Sequence, residues 1–551
     1  MTDKSALLFG SILALLLPVS FLPFTSDNFL IKLLILSVFF TVFAVLLTQN
    51  KFKIAKVSIW IIIFTGYLGI SILWSPNKSV AINTFWRRMV IILSGYFIGI
   101  NIPSKRLNIL FKAIIAGAVI SAVYGIIQYA GLDPVSWKIG FSGRISSFLG
   151  NPNFFSGYLV AVFPLSLYFA DKAKKQKKVF WFLMSAVLVF CVVMTGTRSS
   201  LIALAAELII LYFGFKNKTV RTAVGAFVIL MIILVIASPS KTKRLIKGFS
   251  FNSSSVSQRV FKWNTALSMV KDSPLIGQGI GGVKTNYALF QSKTRKKMQT
   301  NIKGTSESQI HSEYLQVFAQ AGIIGFILFM IILIYGIKNF LHSKEKEKLI
   351  LFPAYAGILI DSLASFPLFI VPTGFIFYLY LGISENNRTQ IKIPGYLGAV
   401  ISLLIVIGCI KFGIISFYAD CLRRKADSIR KIRPLTAHKL YNKAHKLSPV
   451  DGQAEYRHGQ LLFEMGKYSQ SEQALKNSIY IRNYGEVYND LGIVYYKQKK
   501  FKKALNAWEK AYKIGLPDNE DMQSLRKNIL ILSNKLETKN PINYNHIRKN
   551  R

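Results

Sequence analysis

The chain has 551 residues, 52% of them hydrophobic, a mean hydropathy of +0.37 and a formal charge of +44. A chain this apolar at this length is excluded as a soluble globular protein. Three cysteines, Cys191, Cys409 and Cys421, with no C-x-x-C spacing support neither a disulfide framework nor a zinc site, and the basic residues sit in loops and the C-terminal region without the aromatic interleaving of a nucleic-acid module, so membrane surfaces, anionic glycolipids and proteins are the expected contacts.

Apolar blocks long enough to cross roughly 30 Å of hydrocarbon recur along the chain. They lie near 6–24, 29–48, 56–73, 85–100, 108–130, 152–170, 179–195, 199–214, 220–237, 312–337, 348–365, 368–384 and 395–417. The expected architecture is therefore all-α, a polytopic transmembrane helix bundle of about 12–13 spans. The first block follows Lys4 and shows no small-x-small cleavage site before Asp27, so it is expected to remain as a span. Lys and Arg collect on alternate connections, at Lys51, Lys53 and Lys56, at Lys105 and Arg106, at Lys172 to Lys178, at Lys216 to Arg221, and at Lys344 to Lys348. That pattern places the N-terminus and these connections inside.

The same orientation puts the large loop at 238–311 outside. Within it Val260, Trp263, Leu267 and Val270 fall at helical spacing, with Lys262 and Lys271 off that stripe, and predict a helix on the membrane surface ending at Ser273-Pro274. "GQGIGG" at Gly277 to Gly282 matches a nucleotide-binding pattern literally, but no strand precedes it, and it is expected to be a turn returning the chain to the membrane. From about Tyr418 the composition changes. Gly459, Gly466 and Tyr468 recur 33 positions later as Gly492, Lys499 and Phe501, and Ala504, Trp508 and Ala511 supply small-large-small packing. With a degenerate earlier unit at Ala437, Tyr441, Ala444 and Pro449 and a capping helix near 519–537, residues 418–537 are expected to form tetratricopeptide-type helical repeats, residues 1–417 the membrane domain and residues 538–551 a disordered tail.

Of the histidines only His311 falls at the outer membrane face. On a helix it would share a face with Leu315, Phe318 and Gly322; by spacing alone it is equally a helix cap, a headgroup contact or a functional group. Arg198 interrupts an apolar run, Arg144 precedes the turn Asn151-Pro152-Asn153, Arg259 opens the surface helix, and Arg87 and Arg88 lie at the outer end of a span. All fall on the side of His311. Clustered guanidinium groups suit a pyrophosphate, and headgroup snorkelling is the alternative. Glu207 and Asp361 are carboxylates within spans. Glu207, nine residues from Arg198 and so on the opposite face, is expected to be a structural hydrogen-bond partner.

"RISSFLGNPNFFSGYL", "TGTRSSLIAL", "RVFKWNTALSMVKDSPLIGQGIGG" and "HSEYLQVFAQAGIIGFILF", in that order over Arg144 to Phe329, resemble the O-antigen ligase/O-antigen polymerase family of membrane glycosyltransferases. The resemblance implies a metal-free, cofactor-free transfer from an undecaprenyl-pyrophosphate-linked glycan to a glycan, lipid or protein acceptor, at the outer face of a bacterial plasma membrane. It implies that His311 is the catalytic base and that Arg198 and Arg259 bind pyrophosphate, with Arg144 and Asn153 beside them; Arg88 is added from its location. Membrane lipids and a protein partner for the repeats are the other expected contacts, and nucleic acid is not. A transporter or flippase of an anionic substrate is the alternative, for which discontinuous helices at mid-membrane would be expected. A span at 395–417 would put the repeats outside, while Arg423, Arg424 and Lys425 directly after it argue for the inside.

Overall fold

The computed structural model describes residues 2–22, 29–135, 143–215, 217–237, 254–298, 309–516 and 519–537. Asp27, the tail at 538–551 and the parts of the large loop at 238–253 and 299–308 lie outside the described residues. A chain without water around its amides must satisfy them internally, and every expected apolar block carries a helix. These are α1 (Thr2–Val19), α2 (Phe29–Gln49), α3 (Lys56–Ile70), α4 (Lys78–Asn101), α5 (Leu107–Tyr129), α6 (Pro152–Lys172), α7 (Lys175–Thr195), α8 (Arg198–Gly214) and α9 (Lys218–Ile236). After α10 (Ser254–Asp272) and α11 (Gly282–Met298) of the large loop come α12 (Glu313–Leu341), α13 (Leu351–Asp361), α14 (Val371–Ser384) and α15 (Gly395–Ile429). Among the described residues, 8 helices are long and apolar enough to cross a membrane. Others fall short for visible reasons: α4 carries Arg87 and Arg88, and α14 has 14 residues.

The ends that meet agree with the charge pattern. On the side expected inside, Asp3 pairs with Lys53 at 3.0 Å, and Lys172 pairs with Glu347 at 2.7 Å. There too Phe52–Ile54 and Thr389–Ile391 form a short antiparallel ribbon, with Phe52 opposite Ile391. At the other side Lys32, fully buried in α2, donates to the carbonyl of Leu17 at 2.9 Å and to that of Ser20, groups left open where α1 ends. Glu207 departs from expectation. Both its oxygens are buried without a hydrogen bond among the described residues, because α13 offers it Gly357 instead of a donor.

The large loop is not merely laid on a surface. The expected helix exists and ends at Asp272, but Leu267 is exposed, and the buried face is Phe261, Ala266, Met269 and Val270. Ala266, Met269 and Val270 of that face pack with Val283 and Tyr287 of α11 and with Ala319 of α12, so protein replaces lipid as its apolar partner. The glycine run then clips the loop into the bundle. Gly277, Gly279 and Gly281 all have positive φ, of 70°, 77° and 79°, a region open to glycine at little cost. A Cβ on Gly277 would lie 2.5 Å from backbone of Gln320 and Gly322. Helix α12 breaks its own pattern at this level, at Gly322 (φ 63°). The groups so exposed are satisfied from the clip: Gln278 N donates to Ala319 O at 2.9 Å and Ile323 N to Pro274 O at 2.9 Å, while Tyr67 Oη of α3 donates to Ala321 O at 2.9 Å.

The expected change of character at Tyr418 falls inside α15, which runs unbroken from Gly395 to Ile429 through a π-helical segment at Cys409–Ile415. The repeats follow as α16 (Pro434–Leu447), α17 (Gly452–Glu464), α18 (Tyr468–Ile481), α19 (Gly485–Lys497), α20 (Phe501–Ile514) and the cap α21 (Asn519–Glu537). They dock on the large loop. Lys284 Nζ of α11 donates to Val450 O at 3.0 Å, Arg295 Nη1 to Ile514 O at 2.9 Å, and Asn483 Nδ2 to Thr285 O at 3.0 Å. The repeats therefore stand on the same side of the bundle as His311. Arg423, which argued for the opposite side as a loop charge, is buried and donates to Ser448 O.

Gly131 and Gly277 separate conformational strain from contact. Both have positive φ, but a Cβ on Gly131 meets nothing within 4 Å. Gly131→Ala is expected to cost about 1–2 kcal/mol of left-handed strain. Gly277→Ala is expected to cost that and the backbone clash together, giving a clearly lower melting temperature of the purified protein. Equal melting temperatures for the two variants would show that the clip is not closely packed.

Candidate active site

Histidine 311 does not sit on α12. Ser312 is the N-cap, its Oγ accepting from Leu315 N at 3.5 Å, and His311 precedes it with φ 58°. A non-glycine residue pays for that conformation, and its neighbours fix it. Ile310 N donates to Gln316 Oε1 at 2.9 Å, Trp263 Nε1 of α10 reaches the His311 carbonyl at 3.4 Å, and Glu313 N donates to Ser362 O at 3.0 Å. The imidazole so presented meets the Phe366 ring edge-on at 5.1 Å.

Two cations of α10 face this imidazole. Arg259 and Lys262 are three residues apart and share one face of the helix. Burial, then Lys262, then Arg259 push His311 down to about 3, so the ring is neutral in the unliganded protein. Lys262, read from the sequence only as lying off the apolar stripe, is buried beside the site. Arg259 in turn is pushed below its ordinary range by burial and by Arg198, and the Asp361 carboxylate opposes both. Arg198 is the first residue of α8, where open backbone N–H groups add positive potential. Asp361, at the end of α13, accepts from Ser200 Oγ at 3.0 Å.

The Asn-Pro-Asn turn divides its work. Asn151 Oδ1 accepts from Asn153 N at 2.9 Å as the N-cap of α6, Pro152 takes the first helical position, and Asn153 is left to reach sideways. Its Oδ1 accepts from Arg144 Nη2 at 2.9 Å and from Thr197 Oγ1 at 3.2 Å. Arg144 also donates through Nε to Thr195 O at 2.5 Å and through Nη2 to Thr197 Oγ1 at 3.0 Å. Arg144 and Asn153 thus grip the corner between α7 and α8 directly before Arg198. Arg88 is placed differently. Its Nη1 pairs with Glu313 Oε1 at 2.7 Å, and its guanidinium lies 4.9 Å over Phe369. Sequence reasoning missed Lys262 and Glu313. The three-residue spacing from Arg259 was a signal for the first; nothing in the sequence pairs Glu313 with Arg88, 225 positions earlier in the chain.

These observations define a multi-pass membrane protein that gathers an imidazole and several cations at one end of its helix bundle. Residues 183–330, which include Arg198, Arg259, Lys262 and His311, match the family model described as O-Antigen ligase, and residues 485–515 match the tetratricopeptide repeat. The chain is an O-antigen ligase-like membrane protein with tetratricopeptide repeats near its C-terminus. It is 28% identical over 294 residues to the ComP-specific O-oligosaccharyltransferase of Acinetobacter baylyi, 51% of this chain and 51% of that protein. It is 24% identical over 265 residues to an uncharacterized protein of Haemophilus influenzae, 45% of this chain and 63% of that one. The chain thus matches between half and just under two thirds of the length of these curated relatives.

The electrostatics has a sign that can be checked. Cations lower the affinity of His311 for a proton, so removing one or neutralising it with an anion raises that affinity. By NMR of histidine-labelled protein, His311 is expected not to titrate between pH 8 and 5, and Lys262→Met or added pyrophosphate is expected to move its titration upward. A titration near 6.5 that neither change moves would place Arg259 and Lys262 away from the ring.

Proposed function

We propose that this protein is a glycosyltransferase that moves a glycan from a polyprenyl-pyrophosphate carrier, undecaprenyl pyrophosphate in the bacterial plasma membrane, to an acceptor hydroxyl at the outer face. The observation that carries the reading is the joint placement of His311, Lys262, Arg259 and Arg198 at one end of the bundle. In this reading Arg259, Arg198 and Lys262 take the diphosphate, while Arg144 and Asn153 hold the α7–α8 corner that presents Arg198. Arg88 acts through Glu313, fixing the start of α12 and with it His311.

The chemistry follows from charge. Bound diphosphate neutralises the cations that hold His311 down, so the imidazole becomes a stronger base once the donor is in place. It takes the proton of the acceptor hydroxyl, the oxygen attacks the anomeric carbon, and the bond to the diphosphate oxygen breaks. The guanidinium groups stabilise the charge that develops on the leaving diphosphate. A single displacement inverts the anomeric centre. No metal is required by this scheme, since the cations are side chains. The similarity to an O-oligosaccharyltransferase supports a transferase over a transporter, as does the location of the charged groups at one face instead of mid-depth.

Purified protein supplied with a carrier-linked oligosaccharide and candidate acceptors tests the proposal. His311→Ala is expected to lower the transfer rate roughly 10²–10⁴-fold, and Arg259→Gln about 10²-fold or more, with inverted configuration in the product. Undiminished transfer by His311→Ala, or retained configuration, would overturn the mechanism.

A further inference from the structure

Where the repeats meet the outer ends of the spans, they enclose a cavity of about 360 Å³. The volume is in the range of small-ligand sites. Arg87 of α4, Lys284 of α11 and Arg423 of α15 reach it from the membrane half, and Arg457 and Arg482 reach it from the repeats. Asp420, Asp427 and Asp451 share the wall. Two of these carboxylates have cationic neighbours of their own: Asp427 at 2.8 Å from Arg457 Nε and Asp451 at 4.0 Å from Arg423 Nε. The lining keeps a positive surplus. Arg482 lies 4.8 Å over the Tyr484 ring, and its Nε is buried without a hydrogen-bond partner among the described residues.

That mixture selects a ligand class. A fully ionised phosphate has no hydrogen to donate to the three carboxylates and so leaves their acceptor oxygens unmatched. A lipid headgroup would need an apolar trough for its chains, and the apolar contribution here is limited to Leu30, Val450 and Tyr484. Sugar hydroxyls need donors and acceptors together; the aspartates accept, the guanidinium groups donate, and Asn83 and Gln453 do both. The surplus of cations adds a requirement for an acid group, and guanidinium binds a carboxylate in a planar fork. A pair of phenylalanines in series links the cavity to the candidate active site. Arg87 lies 5.2 Å over Phe369, Phe369 packs against Phe366 at 6.5 Å, and Phe366 meets His311.

We infer that the cavity between the repeats and the bundle binds an acidic saccharide, a uronate-bearing sugar held one aromatic cluster away from His311. Its identity as the acceptor strand rests on the transferase reading; its binding does not. The repeats then contribute one wall of a sugar subsite.

Isothermal titration of the full-length protein with glucuronate- and galacturonate-ended disaccharides, their neutral counterparts and inorganic phosphate tests this. At least one uronate is expected to bind tenfold or more tightly than its neutral counterpart, and phosphate is expected to displace it only at tenfold or higher concentration. Arg482→Gln is expected to lose that preference, Arg482→Lys to keep part of it, and His311→Ala to leave it intact, each variant first checked for an unchanged elution volume and melting temperature. Phosphate displacing a bound uronate at equal affinity would mean an anion site only and overturn the inference, as would equal binding of acidic and neutral sugars or no binding of any sugar. Uronate binding by a protein that transfers nothing would count against the transferase reading and leave this site standing.

Discussion

Cations do not gather in a half-buried space unaided. Two unit charges at 4 Å repel by about 4 kcal/mol at the dielectric of a protein surface, and Arg198, Arg259 and Lys262 are close enough to act on one another or on the same imidazole. Holding them there is the constraint around which this end of the molecule is arranged. Each comes from an element fixed by something else. Arg198 stands at a helix start pinned by Arg144 and Asn153, and Arg259 and Lys262 ride on a helix whose apolar face is buried against α11 and α12. The Asp361 carboxylate offsets part of the repulsion. What remains is a local excess of positive charge that the fold maintains.

The glycine clip explains how a loop outside the membrane can place side chains against the end of a span. Three glycines let the run between α10 and α11 approach the turn after α3, the start of α4 and the interrupted turn of α12 at backbone distance, and α12 supplies the Ala319 carbonyl for it to bind. The clip and the histidine belong to one unit. Ser312 and Glu313 start the helix that Gly322 interrupts, and Glu313 ties that start to Arg88 of α4.

Much of this was legible in the sequence, for reasons of range. Apolar blocks, alternating basic connections and the 33-residue recurrence depend on neighbours or on period, and each appears as a helix, a shared side or a repeat unit. The Asn-Pro-Asn turn and the glycine run were legible as turns because their backbone needs are local. Lys262 was not, since its burial beside His311 depends on a segment some fifty positions away in the chain; a lysine off an apolar stripe normally faces water. Glu207 was misjudged because its surroundings are set by Gly357 on another helix. The docking of the repeats on α11 rests on backbone carbonyls, Val450, Ile514 and Thr285, which no side-chain pattern announces.

The last span has a mechanical consequence. Because α15 runs from the apolar span towards the repeats as one continuous helix, a shift of the span is carried into the domain attached to it. Its depth in the membrane is set by the match between apolar length and bilayer thickness, and a slip by one residue raises everything attached to it by about 1.5 Å. The height of the repeats above the headgroups is in that sense a gauge of the membrane itself.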